Sequence, residues 1–160
     1  MNIIAIDPGT RNTGVVYLNK RGILCAKTIQ FKQKIWQDQD ALLLRAKEIA
    51  RQLSDWIADK PHEAIVIEGF VYQSRNKSSN IYQTPYICGY LQSLLSEENL
   101  VIQTSPQVLA KKDYKLLMEE FAQKVCEIPG SYQISNEHLR SAASHGWYYL
   151  MEGCKNGREL

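Results

Sequence analysis

The chain has 160 residues, of which 44% are hydrophobic and 22% charged. This is the make-up of an ordinary soluble domain with enough chain to bury one core, and one domain is expected. A formal net charge of +2 excludes a broadly polycationic molecule, so any nucleic-acid surface must be a local concentration of Lys and Arg.

The cysteines Cys25, Cys88, Cys126 and Cys154 are far apart, form no CxxC pair and are not completed to a zinc pattern by the three histidines, so free thiols in a reducing cytoplasm are expected. No apolar run approaches the roughly 20 residues needed to span a bilayer. The N-terminus reads directly into a strand rather than a signal peptide. A soluble, cytoplasmic protein with no membrane partner is the expectation.

In chain order, residues 2 to 6 are a short apolar run that ends at Asp7-Pro8-Gly9-Thr10, a buried strand feeding a tight loop. Val15–Leu18 and Ile23–Ala26 flank Asn19-Lys20-Arg21-Gly22, which suits a hairpin turn between two antiparallel strands. From about Asp40 to Asp59, Leu42, Ala46, Ile49, Ala50, Leu53, Trp56 and Ile57 fall on one face of a helix, and Pro61 follows its end. Ala64–Ile67 is a β-branched run terminating at Glu68-Gly69. Because it follows a crossover helix, it is expected to lie parallel to the first strand.

Residues 70 to 80 read as a loop, and a helix is expected over 81 to 96 with Pro85 near its start. Leu100–Ile102 supplies a fifth strand. Pro106 opens a short helix, residues 113 to 126 another, and residues 136 to 151 the last, with Leu139, Ala142, Ala143, Gly146, Trp147 and Leu150 on one face.

Three clusters of residues bear chemistry. The first is Asp7-Pro8-Gly9-Thr10-Arg11-Asn12-Thr13-Gly14, a carboxylate at the end of a buried strand followed by a glycine loop; its plain alternative is an Asx-type turn. The second is Glu68, at the end of another central strand. Neighbouring parallel strands set Asp7 and Glu68 side by side at the carboxyl edge of the sheet, where such folds place ligands. Two close carboxylates repel unless cations neutralise them, so the pairing implies bound metal. The third is Asn136–Gly146, where His138 and Ser141 are three apart on one helical face, and Glu137 and Ser141 four apart on a neighbouring one. His145 lies a turn further on and reads as a packed or surface histidine rather than a ligand.

These three stretches resemble the motifs of the RuvC-type Holliday junction resolvases, which have the ribonuclease H-like fold. The resemblance implies an α/β protein with a five-stranded mixed sheet flanked by helices, and the element order β-β-β-α-β-α-β-α agrees with it. It implies cleavage of four-way DNA junctions by hydrolysis dependent on two Mg²⁺ ions, for which Mn²⁺ can substitute, with Asp7, Glu68, His138 and Ser141 as catalytic and metal-binding positions. Ser141 departs from the pattern, since a carboxylate stands there in the family. A neutral hydroxyl is a weak ligand, so Glu137 or a water has to compensate. The first motif also resembles the phosphate loop of sugar kinases and heat-shock ATPases, but those need two such domains about a cleft.

The loop after Glu68 interleaves Phe70 and Tyr72 with Arg75 and Lys77, a composition suited to stacking on bases while meeting phosphates. Lys111, Lys112 and Lys115 form a second basic cluster, which the resemblance places near the scissile phosphate. The resemblance implies a branched DNA partner. The two-fold symmetry of a four-way junction calls for a homodimer. The expected contact is the stripe Ile81, Tyr82, Tyr86, Tyr90 and Leu94, whose alternative is intramolecular core. The competing reading from Ser141 is a junction-binding protein of weak or no catalytic activity.

Overall fold

The computed structural model describes residues 1–31, 39–70, 82–104 and 137–155, with the backbone alone at 39, 40 and 152–155. Its elements run β1 (Asn2–Asp7), β2 (Asn12–Asn19), β3 (Gly22–Gln30), α1 (Gln39–Ile57), β4 (Ala64–Gly69), α2 (Gln83–Leu94), β5 (Leu100–Thr104) and α3 (Glu137–Lys155). The strands form one sheet in the order β3-β2-β1-β4-β5. β1 pairs antiparallel with β2 and parallel with β4, and β4 pairs parallel with β5. The helices expected from Pro106 and over 113 to 126 lie outside the described residues.

The central strands are apolar throughout because both of their faces are covered. On one face Ile4, Ile6, Ile65 and Ile67 pack with Ala46, Ile49 and Leu53 of α1 and with Ile87 and Leu91 of α2. On the other, Ile3, Ala5, Ala64 and Val66 pack with Leu139, Ala142, Ala143 and Leu150 of α3. Side chains alternate along a strand, so Asp7 and Glu68 continue the α3-facing rows of β1 and β4. On β5, Val101 belongs to that same face, and Gln103 is two residues beyond it.

Two expectations shift in extent. β3 runs on past Ala26 to Gln30, where Ile29 is buried in the core and the edge position of the strand leaves Lys27, Thr28 and Gln30 partly or fully open to solvent. α3 continues through Gly153 to Lys155. The β2–β3 hairpin turns as read, with Asn19 paired to Gly22. Gly22 has φ 145°, a backbone region that favours glycine, and Asn19 Oδ1 accepts the Arg21 N–H at 2.8 Å.

The tyrosine stripe divides between surface and core. Ile87, Cys88 and Leu91 form the buried face of α2, whereas Tyr82 at its N-cap is 81% exposed and Tyr86 and Leu94 are also exposed. Tyr90 is half-buried against the core, and Ile81 lies outside the described residues. Among the described residues, no helix is long and apolar enough to cross a membrane.

Candidate active site

The site forms where the parallel strands end and α3 begins. β1 and β4 are in register at Ile6 and Ile67, so Asp7 and Glu68 are neighbours one residue further on. The Glu68 charge acts directly on the Asp7 carboxyl. Asp7 is buried, with 8% of its surface exposed, while Glu68 is partly open.

Two glycines of the loop and strand after Asp7 bring α3 to this edge. A Cβ at Gly14 would lie 2.3 Å from the His138 carbonyl oxygen and 2.8 Å from the Leu139 nitrogen, so β2 and the first turn of α3 touch backbone to side-chain-free backbone. A Cβ at Gly9 would lie 2.7 Å from His138 Cε1. The glycines that resemble a phosphate loop therefore make room for His138. Two turns further along the helix, a Cβ at Gly146 would meet Ala5 and Leu18 at 2.8 Å, which keeps the rest of the helix equally close. Gly14→Ala is expected to displace α3 and cost about 1–3 kcal/mol, the usual range for overpacking; an unaltered urea midpoint would show that the helix yields freely there.

The face of α3 turned to the strand ends carries His138, Ser141 and His145, at spacings of three and four. His138 Nδ1 lies 2.9 Å from Asp7 Oδ2. Ser141 Oγ donates to Glu68 Oε2 at 2.9 Å. His145 Nδ1 lies 3.2 Å from Gln103 Oε1, and its Nε2 lies 3.5 Å from Glu68 Oε2. The structure thus brings Asp7, Glu68, His138 and Ser141 into one cluster. Glu137 is exposed at the first turn and acts on His138 through its charge. Phe70 is exposed directly after β4; Tyr72, Arg75, Lys77, Lys111, Lys112 and Lys115 lie outside the described residues.

His145 is packed, at 2% exposure, yet it reaches the cluster that the sequence reading held a turn away. Glu68 Oε2 lies 2.9 Å from Ser141 Oγ and 3.5 Å from His145 Nε2, so residues on two successive turns of α3 meet it. Gln103 was not singled out from the sequence at all. The available signals were the 138, 141, 145 spacing and the alternation that puts Gln103 on the α3 face of β5.

Burial and the neighbouring Glu68 charge raise the Asp7 carboxyl above its ordinary pKa, against the lowering effect of His138. The hydrogen bond to Asp7 raises His138 above 6.5, against the opposing effect of burial. Burial, reinforced by the Asp7 and Glu68 charges, pushes the Cys88 thiol up to about 12, so it stays protonated and is no nucleophile. Cys88 and Cys25 are both free thiols.

Among the described residues, no three His, Cys, Asp or Glu side chains stand as a ready-made metal cage; the carboxylates face His138 and Ser141 instead. The donor set still fits a hard divalent cation. Two crowded carboxylates, one of them buried, hold more negative charge than the site neutralises. Without metal, a proton taken up by His138 offsets part of that charge. A histidine whose folded pKa is raised contributes stability that is complete below its unfolded value and is lost as pH rises through the folded one. Asp7, also raised, has the same sign. The thermal midpoint in chelator is therefore expected to fall as pH climbs above about 6.5, and His138→Ala should flatten that decline. An equally steep decline in the variant would remove His138 from the account.

No protein-family model and no curated protein matches the sequence. Solved structures do match. Thermus thermophilus RuvC in complex with a Holliday junction substrate superposes with a TM-score of 0.68 over 96% of each chain at 19% identity. The yeast mitochondrial Holliday junction resolvase gives 0.59 at 12% identity, over 98% of this chain and 81% of that one. The Fowlpox virus resolvase, in complex with Holliday junction DNA, gives 0.52 at 11% identity, over 94% of this chain and 99% of that one. The chain has a ribonuclease H-like fold, a five-stranded mixed sheet flanked by helices. More particularly, it is the form of that fold found in RuvC-type and other Holliday junction resolvases.

Proposed function

We propose that the protein is a structure-selective endonuclease that resolves four-way DNA junctions by metal-dependent phosphodiester hydrolysis. The observation that carries this reading is the meeting of Asp7 and Glu68, on adjacent parallel strands, with His138 and Ser141 of α3. It occurs in a fold shared end to end with a junction-bound resolvase. Asp7, Glu68 and His138 are the residues that would hold Mg²⁺ or Mn²⁺, with Ser141 beside Glu68. When bound, two such ions supply an activated water and stabilise the departing 3′ oxygen. Asp7 and Glu68 fix the charge of the site, and the His138 ring, seated on Gly9, is held against Asp7 by α3.

Phe70 and Tyr72 are assigned to bases at the junction centre, and Arg75, Lys77, Lys111, Lys112 and Lys115 to phosphates. A homodimer bound through the exposed Tyr82, Tyr86 and Leu94 face of α2 would give each of two opposed strands its own site. The protein would act in the cytoplasm. The deciding experiment is incubation of the purified protein with a synthetic four-way junction and Mg²⁺ or Mn²⁺. Paired symmetric incisions support the reading, and an intact junction at saturating protein and metal overturns it.

A second reading has its own observation. Ser141 occupies its hydroxyl on Glu68 where the resembling enzymes carry a carboxylate, which favours a protein that binds junctions and cuts them weakly or not at all. Tight, salt-sensitive junction binding without incision in the same experiment would select it. The filling of the glycine loop by His138 argues against a kinase or ATPase.

A further inference from the structure

His145 and Gln103 are a buried polar pair that neither the carboxylate cluster nor the hydrophobic core requires. They are 2% and 6% exposed, a placement that costs free energy unless their polar atoms are paired. Each has a defined partner. Gln103 is the registered neighbour of Glu68 across β4 and β5, on the same face of the sheet. His145 sits one helical turn after Ser141, with Nδ1 3.2 Å from Gln103 Oε1 and Nε2 3.5 Å from Glu68 Oε2. The imidazole is thus set between the amide of one strand and the carboxylate of the next.

We propose that His145 is a positioning residue for Glu68, with Gln103 fixing its ring, so that the two α3 residues Ser141 and His145 hold this carboxylate in the orientation that receives a divalent ion. The proposal rests on the metal-binding reading above and adds a residue to it. Half a turn of the Gln103 amide makes it the donor to Nδ1 and leaves the single proton of the neutral ring on Nε2, the nitrogen 3.5 Å from Glu68 Oε2, with no other heavy atom moved. Groups that orient a metal-binding carboxylate are worth about 10–100-fold in metal affinity. Ser141 makes this support more important here, because a neutral hydroxyl adds no charge of its own to hold the ion.

Two substitutions separate positioning from packing. The amide of Gln reaches where Nε2 stands, whereas the amide of Asn reaches where Nδ1 stands. His145→Gln can keep the contact with Glu68; His145→Asn can keep Gln103 but not Glu68. Mn²⁺ binding to the full chain is measured by calorimetry, with thermal melting in chelator as the control for folding. His145→Asn is expected to bind Mn²⁺ about tenfold more weakly or worse, and His145→Gln to stay within a few-fold of wild type. Equal Mn²⁺ affinity in wild type and His145→Asn overturns the role of His145 and leaves the metal site standing. Stronger Mn²⁺ binding by Asn than by Gln also overturns it, since packing against Gln103 would then be what matters. A wild-type protein that binds no Mn²⁺ overturns the metal reading and this one with it.

Discussion

Asp7→Asn is expected to abolish junction cleavage while leaving junction affinity within a few-fold of wild type. The side chain is nearly isosteric, so the contact region of β1, the Gly9–Gly14 loop and α3 keeps its shape. What changes is charge at the carboxylate that meets His138 and feels the Glu68 charge. Losing a preorganised electrostatic contact to the transition state costs on the order of 10²–10³ in rate, and a carboxylate that would hold the metal ions would carry at least that much. DNA affinity comes mainly from phosphates meeting cations, and Asp7 is buried, so binding has little reason to change. Single-turnover cleavage and gel-shift titration on the same junction check both halves. Cleavage at the wild-type rate would sink the metal assignment. Joint loss of cleavage and binding would mean that the substitution had disturbed the fold.

Ser141→Asp is expected to act in the opposite direction. The Ser141 hydroxyl lies 2.9 Å from Glu68 Oε2, so a carboxylate in its place stands beside Glu68 and within the same cluster as Asp7. With Mg²⁺ present it adds an anionic ligand, and the ion concentration for half-maximal cleavage should drop on the order of tenfold or more. Without metal the variant should be less stable than wild type. It loses a hydrogen bond to a charged acceptor, worth about 1.5–3 kcal/mol, and adds a third carboxylate to a crowded pair. Melting curves in chelator and in Mg²⁺ should therefore cross over relative to wild type. A variant with unchanged metal requirement and unchanged rate would place position 141 outside the metal site.

The two predictions share a cause that a sequence makes partly visible. The continuous apolar runs of residues 2 to 6 and 64 to 67 and the 3.6-residue repeats of 42 to 57 and 139 to 150 identify the central strands and the helices, since strands covered on both faces and helices covered on one follow from which faces must be buried. Strand parity then places Asp7 and Glu68 at the ends of adjacent rows, and the helical repeat places His138 with Ser141. Each of these inferences needs only the geometry of one element or of two neighbours. The departure at Ser141 was equally legible, because it is a matter of residue type.

Only the tertiary structure decided how deep α3 sits and which of its turns faces which strand. That docking depends on Gly14, Gly146, Ala5 and Leu18 meeting across three elements, and no local pattern encodes such contacts. A helix held even slightly further out would leave His145 short of Glu68, as the sequence reading supposed. Gln103 stood just past the apolar run that marked β5, where a polar residue reads as the end of a strand. It becomes part of the site only because β5 continues to Thr104 beside β4 and because α3 covers that face. Sequence periodicity determined which residues share a face; the close packing of helix on sheet determined which of those faces meet.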